Sequence, residues 1–132
     1  MKTLLLAIDT WDFVVDANGN WAVADIPYAL AQDVASSIRT FLGEVWYDTS
    51  LGVAWKQKIL GQRPPVSLFQ EYMVAAALAA TPPNADVTVV SAICLIQSFS
   101  AATREVIGQV QFVDSSGNTG AVAINNGSVR VL

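Results

Sequence analysis

The sequence predicts an α+β fold: two helices packed on a mainly antiparallel sheet, with an N-terminal β-hairpin. Three observations carry this. Two segments, 28–42 and 67–80, repeat apolar residues at helical spacing. The last third is rich in β-branched residues and broken by turn sequences, and the order of elements separates helices from the strands that follow. Residues 11–24 alternate apolar with polar residues around Ala17-Asn18-Gly19-Asn20, and Asn and Gly tolerate the positive φ that hairpin turns need. A chain of 132 residues fits a single domain, 1–132.

The elements follow in order. Trp11, Phe13 and Val15 alternate with Asp12, Val14 and Asp16, and Trp21–Ala24 returns as the second arm. Asp25-Ile26-Pro27 punctuates the chain, with Asp25 as a cap and Pro27 in a first helical turn. In helix 28–42, Leu30, Val34, Ile38, Phe41 and Leu42 form one face, and Gln32, Ser36, Arg39 and Thr40 lie off it. Gly43 stands where a left-handed C-terminal cap favours glycine. The segment 44–65 is irregular and holds Trp46, Tyr47 and Trp55, with a short helix at 53–60 stopped by Gly61.

The second helix begins at Ser67, where Ser67 and Gln70 have capping-box spacing, and carries a stripe of Leu68, Tyr72, Ala75, Ala76 and Ala79. Thr81-Pro82-Pro83 ends it. Asp86–Gln97 is apolar on both faces, as in a central strand covered on both sides. Arg104–Val113 alternates Val106, Val110 and Phe112 with Glu105, Gln109 and Gln111. Turns at 114–118 and 125–127 then lead to strands 119–124 and 128–132.

Composition narrows the function. Only 14% of residues are charged against 53% hydrophobic, where ordinary domains carry about 25% charged. A surface so short of charge suits one partly covered by other chains, and equally an ordinary soluble domain with an Ala- and Val-rich core. The net charge is −4, without the basic footprint of a nucleic-acid binder. Lys56, Lys58 and Arg63 read as a solvated face in preference to a patch for an acidic partner. The N-terminal apolar run, with Asp9 and Asp12 close behind, is too short for a signal peptide. No apolar run is long enough to span a bilayer as a helix. The expected location is the cytoplasm, or a particle assembled there.

Chemistry is sparsely provided for. There is no histidine, which removes the commonest general base and metal ligand together. Cys94 is the only cysteine and lies in the apolar run Ala92–Ile96, as a buried small hydrophobe does. Glu44, Asp48 and Glu71 are the candidates for a paired-carboxylate site, but a structural role is favoured for each. Asp16, Asn18 and Asn20 lack the glycine and glutamate positions of a calcium loop. No phosphate-binding glycine loop occurs. The expectation is no catalytic residue, no cofactor and no metal.

One stretch carries more. Thr40, Gly43 and Glu44 close a helix, and Gly52 follows nine residues after Gly43. This Thr-x-x-Gly-Glu pattern with its later glycine resembles the baseplate-wedge, or sheath-initiator, family of contractile phage tails, related to the type VI secretion baseplate wedge component. The resemblance covers residues 26–125 as a family core, with 1–25 as an added hairpin. Two departures stand out. Thr49 replaces a common proline, and Thr81, Pro82, Pro83 and Asn84 stand where many members carry Glu-Pro-Arg at a wedge contact.

The resemblance implies a fold like the conserved domain of tail sheath proteins and a place in the virion tail baseplate, assembled in the host cytoplasm. It implies tail sheath protein, baseplate wedge proteins and tube or hub proteins as partners, with several copies around the tail axis and neither nucleic acid nor membrane. The subunit would nucleate the sheath by accepting strands from sheath arms. Glu44 would fix the 45–52 loop, in preference to pairing with a basic group on a wedge protein. A lysozyme-like peptidoglycan hydrolase of the tail is the enzymatic alternative. A stand-alone ligand-binding domain is a third, resting only on the four tryptophans.

Overall fold

The computed structural model describes residues 2–7, 10–25, 28–47, 49–50, 52–53, 55, 65–80, 87–100, 105–125 and 128–131. Its order is β1 (Lys2–Leu4), β2 (Val23–Asp25), α1 (Tyr28–Arg39), α2 (Val66–Leu78), β3 (Val89–Ser100), β4 (Glu105–Asp114), β5 (Thr119–Asn125) and β6 (Ser128–Val131). Strands β3 to β6 form an antiparallel meander, and β1 and β2 pair in a separate antiparallel sheet. The α+β class and the two helices are as the sequence predicts.

The two described helices cover one face of the meander. Helix α1 lies against β5 and β6, and α2 against β3 and β4. Between the layers sit Leu30, Val34, Ile38, Phe69, Met73, Val110, Phe112, Val122 and Ile124, all buried. Removing such a large side chain costs about 3–5 kcal/mol for a phenylalanine, so Phe69 is a principal anchor. It meets Trp55 and Phe99 edge-on or tilted, with centroids 6.1 and 5.8 Å away.

Strand β3 corrects the sequence reading. Among the described strands it lies at the edge, in the order β3-β4-β5-β6, and not at the centre. Register shifts fall between Val89 and Ser91 and between Ile96 and Ser98. Side chains alternate along a strand, and one extra residue reverses the alternation. The two shifts therefore turn Val89 and Phe99 under the helices, while Ile93 and Leu95 between them stay exposed. A strand with two bulges reads as apolar on both faces without being covered on both.

Helix α2 also differs in detail. Its N-cap is Pro65, with no side-chain cap. The Gln70 amide donates to the Cys94 carbonyl at 3.1 Å instead of reaching back to the cap. The buried residues are Phe69, Met73, Ala76 and Ala77, a stripe one position round from the predicted one. The larger Phe and Met side chains take the core, and Ala75 and Ala79 are left exposed.

The N-terminal sheet is broader than a simple hairpin. The turn at 16–20 forms as predicted, with Asp16 N–H bonded to the Asn20 carbonyl at 2.7 Å. Its arms meet through the single bridge Val15–Trp21, while the regular ladder joins β1 to β2. Trp11, at φ 57°, is not part of a strand. Gln32 docks this sheet on α1. Its side chain accepts from Leu6 N–H and donates to the Leu4 carbonyl, both at 2.9 Å. Gln32 is thus buried, where helical spacing placed it off the apolar face.

The two Asp-x-x-Gly-Asn turns are built alike. Asp16 Oδ1 accepts from Asn18 and Asn20 N–H, and Asp114 Oδ1 from Ser116 and Asn118 N–H, at 2.8–3.0 Å. Gly19 and Gly117 take φ 82° and 85°. These aspartates hold their own turns.

Candidate functional site

The four motif residues converge on one tie between the end of α1 and the segment at 52–53. The helix ends at Arg39, three residues before the predicted end at 42. The chain then leaves the helical path to pair Phe41 with Val53 in a parallel bridge. Val53 N–H donates to the Thr40 carbonyl at 2.9 Å, and Leu42 N–H to the Val53 carbonyl at 2.8 Å. These long-range bonds replace the last helical turn, so Gly43 is not the helix cap.

Each motif residue has a physical part in the tie. The Thr40 hydroxyl donates to the Ser36 carbonyl at 2.8 Å and closes the last turn of α1. Gly43, at φ 85°, sits third in a β-turn closed by Glu44 N–H on the Phe41 carbonyl at 3.0 Å, a position that needs positive φ. The Glu44 carboxylate accepts from Phe41 N–H at 2.9 Å. It thus holds the 41–44 turn, and part of the 45–52 loop lies outside the described residues. Gly52 has φ 104°, and a Cβ there would lie 2.8 Å from the Thr40 and Phe41 backbone. Only glycine permits so close a crossing. Asp48 and the Thr81-Pro82-Pro83-Asn84 segment lie outside the described residues, as do Pro27 and most of the predicted helix at 53–60.

Beside the tie runs a groove of about 500 Å³ between α1 and α2, within the ~300–1,000 Å³ range of ligand pockets. Asp33, Ser36, Ser37 and Thr40 of α1 form one wall. Tyr72 and alanines of α2 form the other, and Leu42, Val45 and Tyr47 one end. The Ser37 hydroxyl donates to the Ala76 carbonyl at 2.8 Å, tying the helices together. Burial pushes the Asp33 carboxyl up from its ordinary 3.8 to about 6. Sequence reasoning did not single out Asp33. Its signal was the small polar series at i, i+3, i+4 and i+7, which places Asp33, Ser36, Ser37 and Thr40 on one helical face.

The molecule leaves large apolar side chains uncovered. Leu4, Phe13, Val15, Trp21 and Val23 are all exposed, and the pairings Leu4–Val23 and Val15–Trp21 set them on one face of the N-terminal sheet. Phe13 and Trp21 touch edge to face at 5.3 Å. In the loop after the tie, Trp46 is 89% exposed and stacks edge-on with Tyr47. Val90, Ile93 and Leu95 of β3 are a third exposed group. Trp55 and Trp11 differ: Trp55 Nε1 donates to the Ile38 carbonyl at 2.8 Å, and Arg39 lies 4.7 Å over the Trp11 ring.

Cys94 is buried in β3, and desolvation raises its thiol from 9.0 to about 11, so it is a poor nucleophile at neutral pH. Glu44 and Glu71 are exposed, the first in the tie and the second on α2. Among the described residues no three His, Cys, Asp or Glu side chains gather as metal ligands, and no helix is long and apolar enough to cross a membrane. Compared with protein-family models and with curated proteins, the chain matches none.

Proposed function

We propose that the protein is a structural baseplate subunit of a contractile phage tail, which nucleates the sheath and links wedge proteins to the tube or hub. The observation that carries this reading is the uncovered apolar face of Leu4, Phe13, Val15, Trp21 and Val23. Exposed contiguous apolar surface of this kind marks interaction sites. The resemblance at Thr40, Gly43, Glu44 and Gly52 supplies the type of assembly.

The outer edge of β3 suits the acceptance of a sheath arm. β3 spans twelve residues, against four in β6 at the other edge. A Cβ on Gly108 would lie 2.5 Å from the Leu95 carbonyl, so that carbonyl faces β4. Alternation then turns the Cys94 carbonyl outward, where Gln70 holds it. An added strand would take the backbone groups along this edge and lay its side chains beside Ile93 and Leu95.

The test is reconstitution of the purified chain with tail-sheath, wedge and tube proteins. Co-assembly with sheath protein is expected. Failure to bind all three refutes the reading. Peptidoglycan release by the purified chain, lost on Glu44→Gln with the fold intact, would overturn it in favour of a hydrolase.

A further inference from the structure

We propose that the groove between α1 and α2 receives a cationic side chain, arginine or lysine, presented by a partner protein, with Asp33 as its counter-ion. This goes beyond the baseplate reading and does not depend on it.

The Asp33 carboxylate makes no hydrogen bond and no ion pair with any described residue. It is half-buried on α1 and faces into a groove whose other lining side chains are neutral. Among the described lining residues, Tyr47 and Tyr72 are the only other titratable groups. A carboxylate removed from water without a partner is costly, and here the cost shows as an affinity for a proton. A guanidinium or ammonium group answers the same deficit with a full charge, and a carboxylate–cation hydrogen bond is among the stronger kinds.

The shape selects a side chain and not a bare ion. A metal ion needs several oxygen ligands, and among the described lining residues Asp33 is the only carboxylate. An arginine or lysine brings an aliphatic stem, which packs on apolar surface while its head stays polar. Leu42, Val45, Ala75 and Ala79 supply that surface beside Asp33. The alanines leave the space. Ala75 and Ala79 are exposed, and larger side chains there would fill the groove. The wider field agrees. Residues 1–50 carry seven carboxylates against Lys2 and Arg39, which draws cationic partners to this half of the chain.

The test uses the whole protein, amide NMR shifts and two peptides: acetyl-Ala-Arg-Ala-amide, and its neutral counterpart with citrulline in place of arginine. At pH 7.5 the arginine peptide should give saturable shifts centred on Asp33, Ser36, Thr40 and Tyr72. The citrulline peptide should bind at least fivefold more weakly. Lowering the pH to 4.5 should weaken the arginine peptide at least fivefold, because Asp33 is then protonated. Asp33→Asn should abolish the shifts. Ala79→Phe, which keeps the carboxylate but fills the groove, should do so too. Equal binding of both peptides, retention in either folded variant, or shifts centred away from the groove would overturn the proposal.

Discussion

Gly43 and Gly52 look alike in sequence and differ in what surrounds them. Both have positive φ, but a Cβ on Gly43 meets nothing within 4 Å, whereas one on Gly52 strikes the Thr40–Phe41 backbone at 2.8 Å. Gly43→Ala should cost about 1–2 kcal/mol, the left-handed penalty alone. Gly52→Ala should cost that and a further ~1–3 kcal/mol of overpacking. Denaturant unfolding of the two variants would order them, and equal losses would contradict the tie. Asp33 gives a prediction in pH. Its folded-state value of about 6 exceeds the ordinary 3.8, so between these values the folded state binds more protons than the unfolded one. Stability from this group therefore falls as pH rises through that window. Asp33→Asn should match the parent's Tm below pH 3.8 and exceed it above about pH 6. A lower Tm at pH 7.5 would show that the carboxylate is already compensated.

Two elements show how local signals were overridden. Ser67 and Gln70 have the spacing of a capping box, but Gln70 spends its amide on Cys94 and Pro65 takes the cap position. Ser67→Ala should therefore change stability by less than about 0.5 kcal/mol, where loss of a true N-cap costs about 1 kcal/mol. Thermal melts of the variant decide between these. Helix α1 ends early for a related reason. The hydrogen bonds of Thr40, Leu42 and Val53 are long-range, and helical spacing alone contains no trace of Val53. The turns at 16–20 and 114–118 were legible because their bonds are local: an aspartate, a glycine and the N–H groups between them suffice.

Across the whole molecule, the burial pattern separates folding from association. The helix-covered face of the meander holds the core, and the N-terminal sheet turns its large side chains outward. Trp21 is 58% exposed, so Phe13→Ser with Trp21→Ser should leave Tm within a few degrees of the parent. The same variant should lose co-assembly with its partner proteins. A folded double variant that still assembles would remove this face from the interface. The composition already pointed this way, since 14% charged residues cannot clothe a surface in charge. It did not say which apolar residues remain outside, because the alternation of Phe13 and Val15 is the same whichever side the core lies on.

By itself, the sequence determined the α+β class, both helices, the strands β4 to β6 and the turn at 114–118. Each rests on residues a few positions apart, and periodicity and turn chemistry act over that range. Only the tertiary structure decided that β3 lies at the edge of the described sheet, that Gln32 is buried to dock the first sheet, and that Asp33 lines a groove between the helices. Those outcomes depend on partners tens of residues away. A single chain read in order records that such residues are present, and their meeting is set by packing.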